Sequence, residues 1–383
     1  MNHLRRCNAA FATAFAASAG ALCLPAPVCA ADLQAIKIGL SGPLSGANAF
    51  AGKDNENGVR LAIEELHSRL FKVAGKQVRF ELLSEDDQGD PKAGVAVAQK
   101  FADAGVGVVL GPYNSGVALP AARVYNDAGI MMSTVGTNPK ITQSGYQLVF
   151  RIVASDAQVG AQVASYAART LKLKTIGVID DRTAFGQGIA AEFSRQAKAA
   201  GVTIAGQEFT TDKASDFTAI LTRLKAKGVD AIFFGGYAPQ AAPMARQMKS
   251  LGLRAKLLGG DTLCSPEMAK LGGDAVADNV LCAQAGAVLD KQKTGPAFQA
   301  RYQARFKHNP DVYAAAFYDQ TMFIAAAMAA TNSVDPSVLG SALRSMTHAG
   351  VVGSYGYDAS GNLKASTVTM YTFKNGALVA LSN

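Results

Sequence analysis

Strand-length apolar runs alternate with helical patterns through most of this chain, and the alternation occurs twice. In the first half the runs fall at 36–40, 78–84, 108–110 and 130–133, with helices expected near 57–69, 91–104 and 116–127. In the second half they fall at 175–179, 203–209, 231–234, 256–258 and 279–282, with helices near 185–200, 216–227, 239–250 and 265–271. Strict alternation of this kind builds parallel sheets covered by helices on both faces. The expected fold class is therefore α/β, in two Rossmann-like lobes.

The halves share a local signature. Val108-Val109-Leu110-Gly111-Pro112-Tyr113 leads into a helix, and so does Ile232-Phe233-Phe234-Gly235-Gly236-Tyr237. The strands that follow end at Val135-Gly136-Thr137 and at Gly259-Gly260-Asp261. Open α/β sheets bind ligands at the carboxyl ends of their strands. Two lobes facing each other with those ends would form a cleft. The first strand fits the scheme, breaking into the turn Ser41-Gly42-Pro43-Leu44-Ser45-Gly46, with a loop before the helix at 57.

The two ends of the chain read differently. Residues 1–30 carry Arg5 and Arg6, an Ala/Phe/Leu-rich middle and small residues up to Ala31, the pattern of a cleaved secretory signal peptide. Beyond residue 293 the pattern is mostly helical to Met346. It includes an apolar stretch, 314–330, that contains Asp319 and Gln320 and is too short to span a bilayer comfortably. Buried core is the better reading. Segments 368–373 and 378–380 then form a hairpin turned at Asn375-Gly376.

About 350 residues follow the signal, enough for two domains. Cys7, Cys23 and Cys29 leave with it, so Cys264 and Cys282 remain as an even pair in an oxidising compartment. A bridge between them closes a loop of about 18 residues and contributes on the order of 3 kcal/mol. The alternative is two buried thiols. The formal net charge is +8, but lysines and arginines are scattered with no aromatic interleaving, which makes nucleic-acid binding a poor reading.

Enzyme chemistry finds little support. His67, His308 and His348 lack metal-ligand spacing and read as exposed polar residues. No Gly-x-Ser-x-Gly or Walker sequence occurs, and Gly105-x-Gly107 precedes its strand instead of following it. Asp86-Asp87 and Asp90 resemble paired carboxylates, yet Asp90-Pro91 is better explained as a helix N-cap with proline at the first helical position. No cofactor and no metal are expected.

Binding chemistry finds more. Ser115 opens a helix, where its hydroxyl and the free N–H groups suit an anion, the plain alternative being an N-cap. Thr137 can add a hydroxyl and an N–H. In the other half, Asp261 stands at a strand end where a carboxylate welcomes a cation, with Tyr237 beside it. One lobe would take a carboxylate and the other an ammonium, a division suited to an α-amino acid.

These residues resemble the periplasmic substrate-binding proteins of branched-chain amino-acid ABC transporters, the Leu/Ile/Val-binding or type I periplasmic binding proteins, over nearly the whole mature chain. The carriers are Ile38-Gly39-Leu40-Ser41-Gly42-Pro43, Asp86-Asp87-x-x-Asp90-Pro91-Lys92-Ala93, Thr137-Asn138-Pro139 with Gly145-Tyr146-Gln147, Asp216-Phe217-x-x-x-Leu221, Gly235-Gly236-Tyr237 and Gly252-Leu253. The resemblance implies three crossovers between the lobes. It assigns 32–155 plus 286–364 to lobe I, and 156–285 plus 365–383 to lobe II. It puts a ligand carboxylate on Ser115, on Val135 or Gly136, and on Thr137, and the ammonium on Asp261 and Tyr237. Tyr113 and Phe185 complete the expected set of ligand-binding residues. The family's ring near the ligand side chain falls on Ala51, with Phe50 adjacent, and its first-lobe disulfide positions fall on Gly89 and Asn114. The implied function is a periplasmic receptor that delivers an amino acid, branched-chain or otherwise apolar, to a membrane permease. It would act as a monomer and without catalysis. A same-fold receptor for another carboxylate or amide, such as an aromatic acid or a urea-like solute, is the alternative.

Overall fold

The computed structural model describes residues 33–286 and 288–381, so the expected signal peptide lies outside the described residues. The first sheet has six strands, β1 (Leu33–Gly42), β2 (Lys72–Val73), β3 (Lys76–Asp86), β4 (Val108–Leu110), β5 (Met131–Thr134) and β6 (Val149–Arg151). They are ordered β2-β3-β1-β4-β5-β6, parallel except for the β2–β3 pair. The helices α1 (Ala49–Ser68), α2 (Pro91–Asp103), α3 (Ser115–Asp127) and the short α4 (Lys140–Gln143) connect them.

After α5 (Asp156–Ser165) the chain builds a second sheet from β7 (Thr175–Asp180), β8 (Thr203–Phe209), β9 (Ala231–Gly235), β10 (Lys256–Gly259) and β11 (Val280–Ala285). The helices α6 (Ala184–Ala199), α7 (Thr218–Ala226), α8 (Ala238–Ser250) and α9 (Pro266–Gly272) lie between them. The chain then returns to the first lobe with α10 (Gly295–Phe306), α11 (Ala314–Thr331) and α12 (Pro336–Ser345), followed by a small ribbon of β12 (His348–Ala349) and β13 (Ser354–Tyr355). It crosses once more to add the antiparallel hairpin β14 (Val368–Lys374) and β15 (Ala377–Ala380) to the second sheet, ordered β15-β14-β11-β10-β9-β7-β8. The chain thus passes between the lobes three times.

Helix α11 is buried on nearly every side, as its apolar sequence predicts. It lies so close to α1 that a Cβ on Gly58 would sit 2.2 Å from the Ala314 carbonyl oxygen. Asp319 and Gln320, the polar pair inside it, are satisfied. Asp319 accepts the N–H groups of Val351 and Val352, each at 2.8 Å, and Gln320 donates to Ser133 at 2.9 Å. Asp90 caps α2 by accepting from the N–H groups of Lys92 and Ala93. Cys264 and Cys282 are bonded, with Cα atoms 5.5 Å apart.

Three expectations need correction. Helix α1 begins at Ala49, eight residues before the expected start, because packing overrides the poor propensity of its Gly- and Asn-rich first turns. Phe50 and Ala51 therefore sit on a helix and not in a loop. Helix α5 was not expected, although Ser155 and Gln158 form a capping box, with the Ser155 N–H donating to Gln158 Oε1 at 2.9 Å. His67 and His348 are half-buried: His67 accepts the Phe80 N–H at 2.9 Å, and His348 stacks on Phe323. Burial pushes the His348 imidazole down to about 4. His308 is exposed as expected.

Candidate functional site

The turn before α3 is held open by glycine. Gly111 has φ +108°, and a Cβ there would lie 2.0 Å from the Ser41 carbonyl oxygen. Asn114 takes the N-cap position, so Ser115 is the first helical residue and its hydroxyl is not a cap. Buried to 1% exposure, that hydroxyl accepts the N–H of Asn138 at 3.3 Å and so joins α3 to the segment after β5. Gly89 and Asn114 are neighbours, a Cβ on Gly89 coming 3.3 Å from Asn114 Oδ1.

The segment Val135–Asn138 is shaped by Arg151, a residue that sequence reasoning missed. Its buried guanidinium donates to the carbonyls of Gly136 at 3.0 Å and Asn138 at 2.8 Å, and to Thr142 Oγ1 at 2.6 Å. Burial lowers its pKa to about 10, against the pull of Asp156 and Asp358. It is the lone charge in the apolar run Leu148–Val153, which was the available signal. The Gly136 N–H is committed to Thr134 Oγ1 at 2.8 Å. Val135 is buried at 2% exposure, and so is Thr137.

Across the cleft, Asp261 is fully buried at the end of β10. It accepts from the Thr262 N–H at 3.1 Å and from the hydroxyl of Tyr313, which belongs to the first lobe. Burial raises its pKa to about 6, the Tyr313 hydroxyl opposing that shift. Asp156, a second acid that the sequence reading passed over, donates its N–H to the Thr137 carbonyl at 2.9 Å. Thr137 is also its side-chain neighbour, yet neither carboxyl oxygen has a partner at full hydrogen-bond geometry. Burial pushes Asp156 up to about 8.

Four aromatic rings pack together in a row beside these groups. Tyr237 stands 5.2 Å from Phe185 and 6.0 Å from Tyr113, and Tyr113 lies 6.0 Å from Tyr313, centroid to centroid. Burial pushes the phenols of Tyr113, Tyr237 and Tyr313 well above their usual range, so all three stay neutral donors. Phe50 and Ala51 line a small pocket with Tyr113, Thr262 and Tyr313. The lobes are closed on this space. Asn138 Nδ2 donates to the Ala184 carbonyl at 2.8 Å, and Ser265 Oγ to Asp311 at 2.8 Å. Among the described residues no group of three or more His, Cys, Asp or Glu is arranged to hold a metal ion.

Hydroxyls and a helix N-terminus on one lobe, buried acids on the other and rings between them define a two-lobed cleft protein built to enclose a small polar ligand. The family model described as "Periplasmic binding protein" matches residues 35–377, and the chain belongs to that family. A leucine-, isoleucine-, valine-, threonine- and alanine-binding protein of Pseudomonas aeruginosa is 33% identical over 343 residues, 89% of this chain and 91% of that protein. Among solved structures, the leucine-binding protein LivK of Thermotoga maritima superposes with TM-score 0.82 at 25% identity, covering 91% of this chain and 98% of that one. A substrate-binding protein of Desulfitobacterium hafniense in complex with Leu matches with TM-score 0.76 at 27% identity, covering 91% and 100%.

Proposed function

We propose that this chain is a periplasmic solute receptor that closes on an α-amino acid and delivers it to the membrane permease of an ABC transporter. It acts as a monomer, after removal of residues 1–30, and catalyses no reaction. The observation that carries this reading is Asp261: a fully buried carboxylate whose hydrogen-bond partners are both neutral and include, in Tyr313, a residue of the other lobe. A buried carboxylate favours a cationic partner. In this reading Ser115, Val135 and Thr137 hold the ligand carboxylate, since the Gly136 N–H already has an acceptor. Asp261 and Tyr237 hold the ammonium, with Asp156 close by. Tyr113, Phe185 and Phe50 flank the side chain, and Ala51 leaves it room.

The names of the relatives support a branched-chain or other apolar amino acid. A simple aromatic acid is disfavoured, because it would leave two buried acids without a cation. The lobes divide as 32–155 with 286–364, and 156–285 with 365–383, a division supported by the sheet to which each strand belongs. Thermal unfolding of the mature protein with leucine, isoleucine, valine, alanine and benzoate tests the reading. A ligand at 100 times its Kd should stabilise the fold by about 2.7 kcal/mol. Stabilisation by benzoate and by no amino acid would overturn it.

A further inference from the structure

The side-chain end of the cleft is not wholly apolar. Asp54 lies on α1, three residues after Ala51 and so on the same helix face. It lines the small pocket that Ala51 shares with Tyr113, Thr262 and Tyr313. Its Oδ1 accepts the Tyr302 hydroxyl at 2.5 Å and the Asp311 N–H at 3.1 Å. Its Oδ2 is buried and has no partner at full hydrogen-bond geometry, although the Ala314 N–H also acts on the carboxyl. Asp311 lines the same pocket, and both its oxygens are in use, one accepting from Ser265 Oγ and the other from the Val312 N–H. Burial raises the pKa of both acids, and Asp54 raises that of Asp311 further. Two carboxyls side by side in a dry site cannot both ionise cheaply unless a cation joins them. The under-used acceptor at Asp54 Oδ2 therefore suits a donor arriving through the pocket.

We propose that Asp54 and Asp311 form a polar subsite at the side-chain end of the cleft, extending the ligand range to amino acids whose side chain ends in an ammonium. This rests on the amino-acid reading above and widens it. The rings hold the methylene stem of the ligand, and Asp54 Oδ2 receives its terminal N–H. An apolar side chain of the same length leaves the Asp54 carboxyl protonated.

Titration calorimetry with L-norvaline and L-2,4-diaminobutyrate tests the subsite, since the two ligands differ by a methyl group against an ammonium of the same size. Wild-type protein is expected to bind diaminobutyrate at least as tightly as norvaline. Asp54→Asn keeps an acceptor for Tyr302 and should weaken diaminobutyrate by about tenfold or more, with norvaline unchanged within about threefold. Norvaline binding in the variant reports that it has folded. Should wild type bind norvaline but not diaminobutyrate, or the variant lose both ligands equally, the subsite is overturned while the receptor reading stands. Binding of neither ligand, nor of leucine, by wild type would overturn the receptor reading and this inference with it.

Discussion

The hydroxyl of Tyr313, carried by the first lobe, donates to the carboxylate of Asp261, carried by the second. The bond ties the lobes together at the acid that serves the ligand ammonium in our reading. Tyr313 is the residue before α11, and Asp261 follows β10, so a single contact reports on both the closure of the cleft and the charge within it.

Removing this donor should shift the pH dependence of binding. The Tyr313 hydroxyl favours the ionised form of Asp261, whose pKa burial has raised to about 6. Wild-type affinity for an amino acid should fall as pH drops through about 6, because the protonated acid no longer balances the ammonium. In Tyr313→Phe the carboxyl loses that stabilisation, and the fall should begin about one pH unit higher. Kd measured from pH 8 to pH 5 by calorimetry shows both breaks. Superimposable profiles would mean that another group controls binding.

The ligand-free protein should respond to pH in the opposite sense. Burial raises Asp54, Asp87, Asp181 and Asp261 to about 6, Asp311 and Asp319 to about 7 and Asp156 to about 8. Between the unfolded value near 4 and these folded values the native state binds more protons, so stability declines as pH rises through that window. His348, lowered to about 4, and His67, also lowered by burial, oppose the trend below their unfolded value of 6.5. Seven acids outweigh two imidazoles, and the apo melting temperature should therefore be higher at pH 5.5 than at pH 8. Saturating amino acid should reduce that difference. A higher apo melting temperature at pH 8 would contradict the assignment of these acids as held up by burial.

On the first lobe, Ser115→Ala and Thr137→Ala should each weaken amino-acid binding by about 1–3 kcal/mol. Each removes a donor that the buried carboxylate of the ligand would otherwise meet. The apo melting temperature should change little for Ser115→Ala, whose hydroxyl takes part in a long, 3.3 Å contact from the Asn138 N–H. Wild-type affinity in both variants would place the ligand elsewhere.

The two-lobed α/β plan was legible because its signals are local: apolar runs of strand length, glycine after the strand, a polar residue opening the next helix. The positions of Asp261, Ser115 and Thr137, after strand ends and at a helix start, were legible for the same reason. Arg151 and Asp156 were not. Their significance depends on which carbonyls and hydroxyls surround them once β6 and α5 are packed, and no spacing rule encodes that. The first turns of α1 were hidden by weak helix formers whose value lies in close approach. Gly52, for instance, sits where a Cβ would lie 2.1 Å from the Pro43 carbonyl oxygen. The half-burial of His67 and His348 likewise follows from distant rings and backbone, not from neighbours in sequence.

The disulfide should matter to the site as well as to the fold. Cys264 directly follows the turn Asp261–Leu263 and is bonded to Cys282 on β11, so the bridge anchors the turn that carries Asp261. Replacing both cysteines by serine should lower stability by about 3 kcal/mol, measured by urea unfolding, and should weaken amino-acid binding because the turn is less fixed. Thiol labelling of the denatured, unreduced wild type should find neither Cys264 nor Cys282 free. Two labelled thiols at these positions would end the claim.

Asp261→Asn is the most decisive variant. The side chain keeps its shape and can still accept from Tyr313 and from the Thr262 N–H, so the protein should fold normally. Because a buried ionisable acid is replaced by a neutral amide, its apo stability at pH 8 should be no lower than that of wild type. The ligand ammonium, however, would enter a dry site with no opposite charge. Removing one partner of a desolvated pair costs about 2–5 kcal/mol, so affinity for the cognate amino acid should fall by thirtyfold or more, about 2 kcal/mol at the least. A zwitterion draws the lobes together only when both of its ends are held. Ligand added at concentrations that compact wild type in small-angle scattering should therefore leave the variant unchanged. Wild-type affinity in Asp261→Asn would show that no ammonium is held there, and the amino-acid reading would give way to a receptor for a solute of another class.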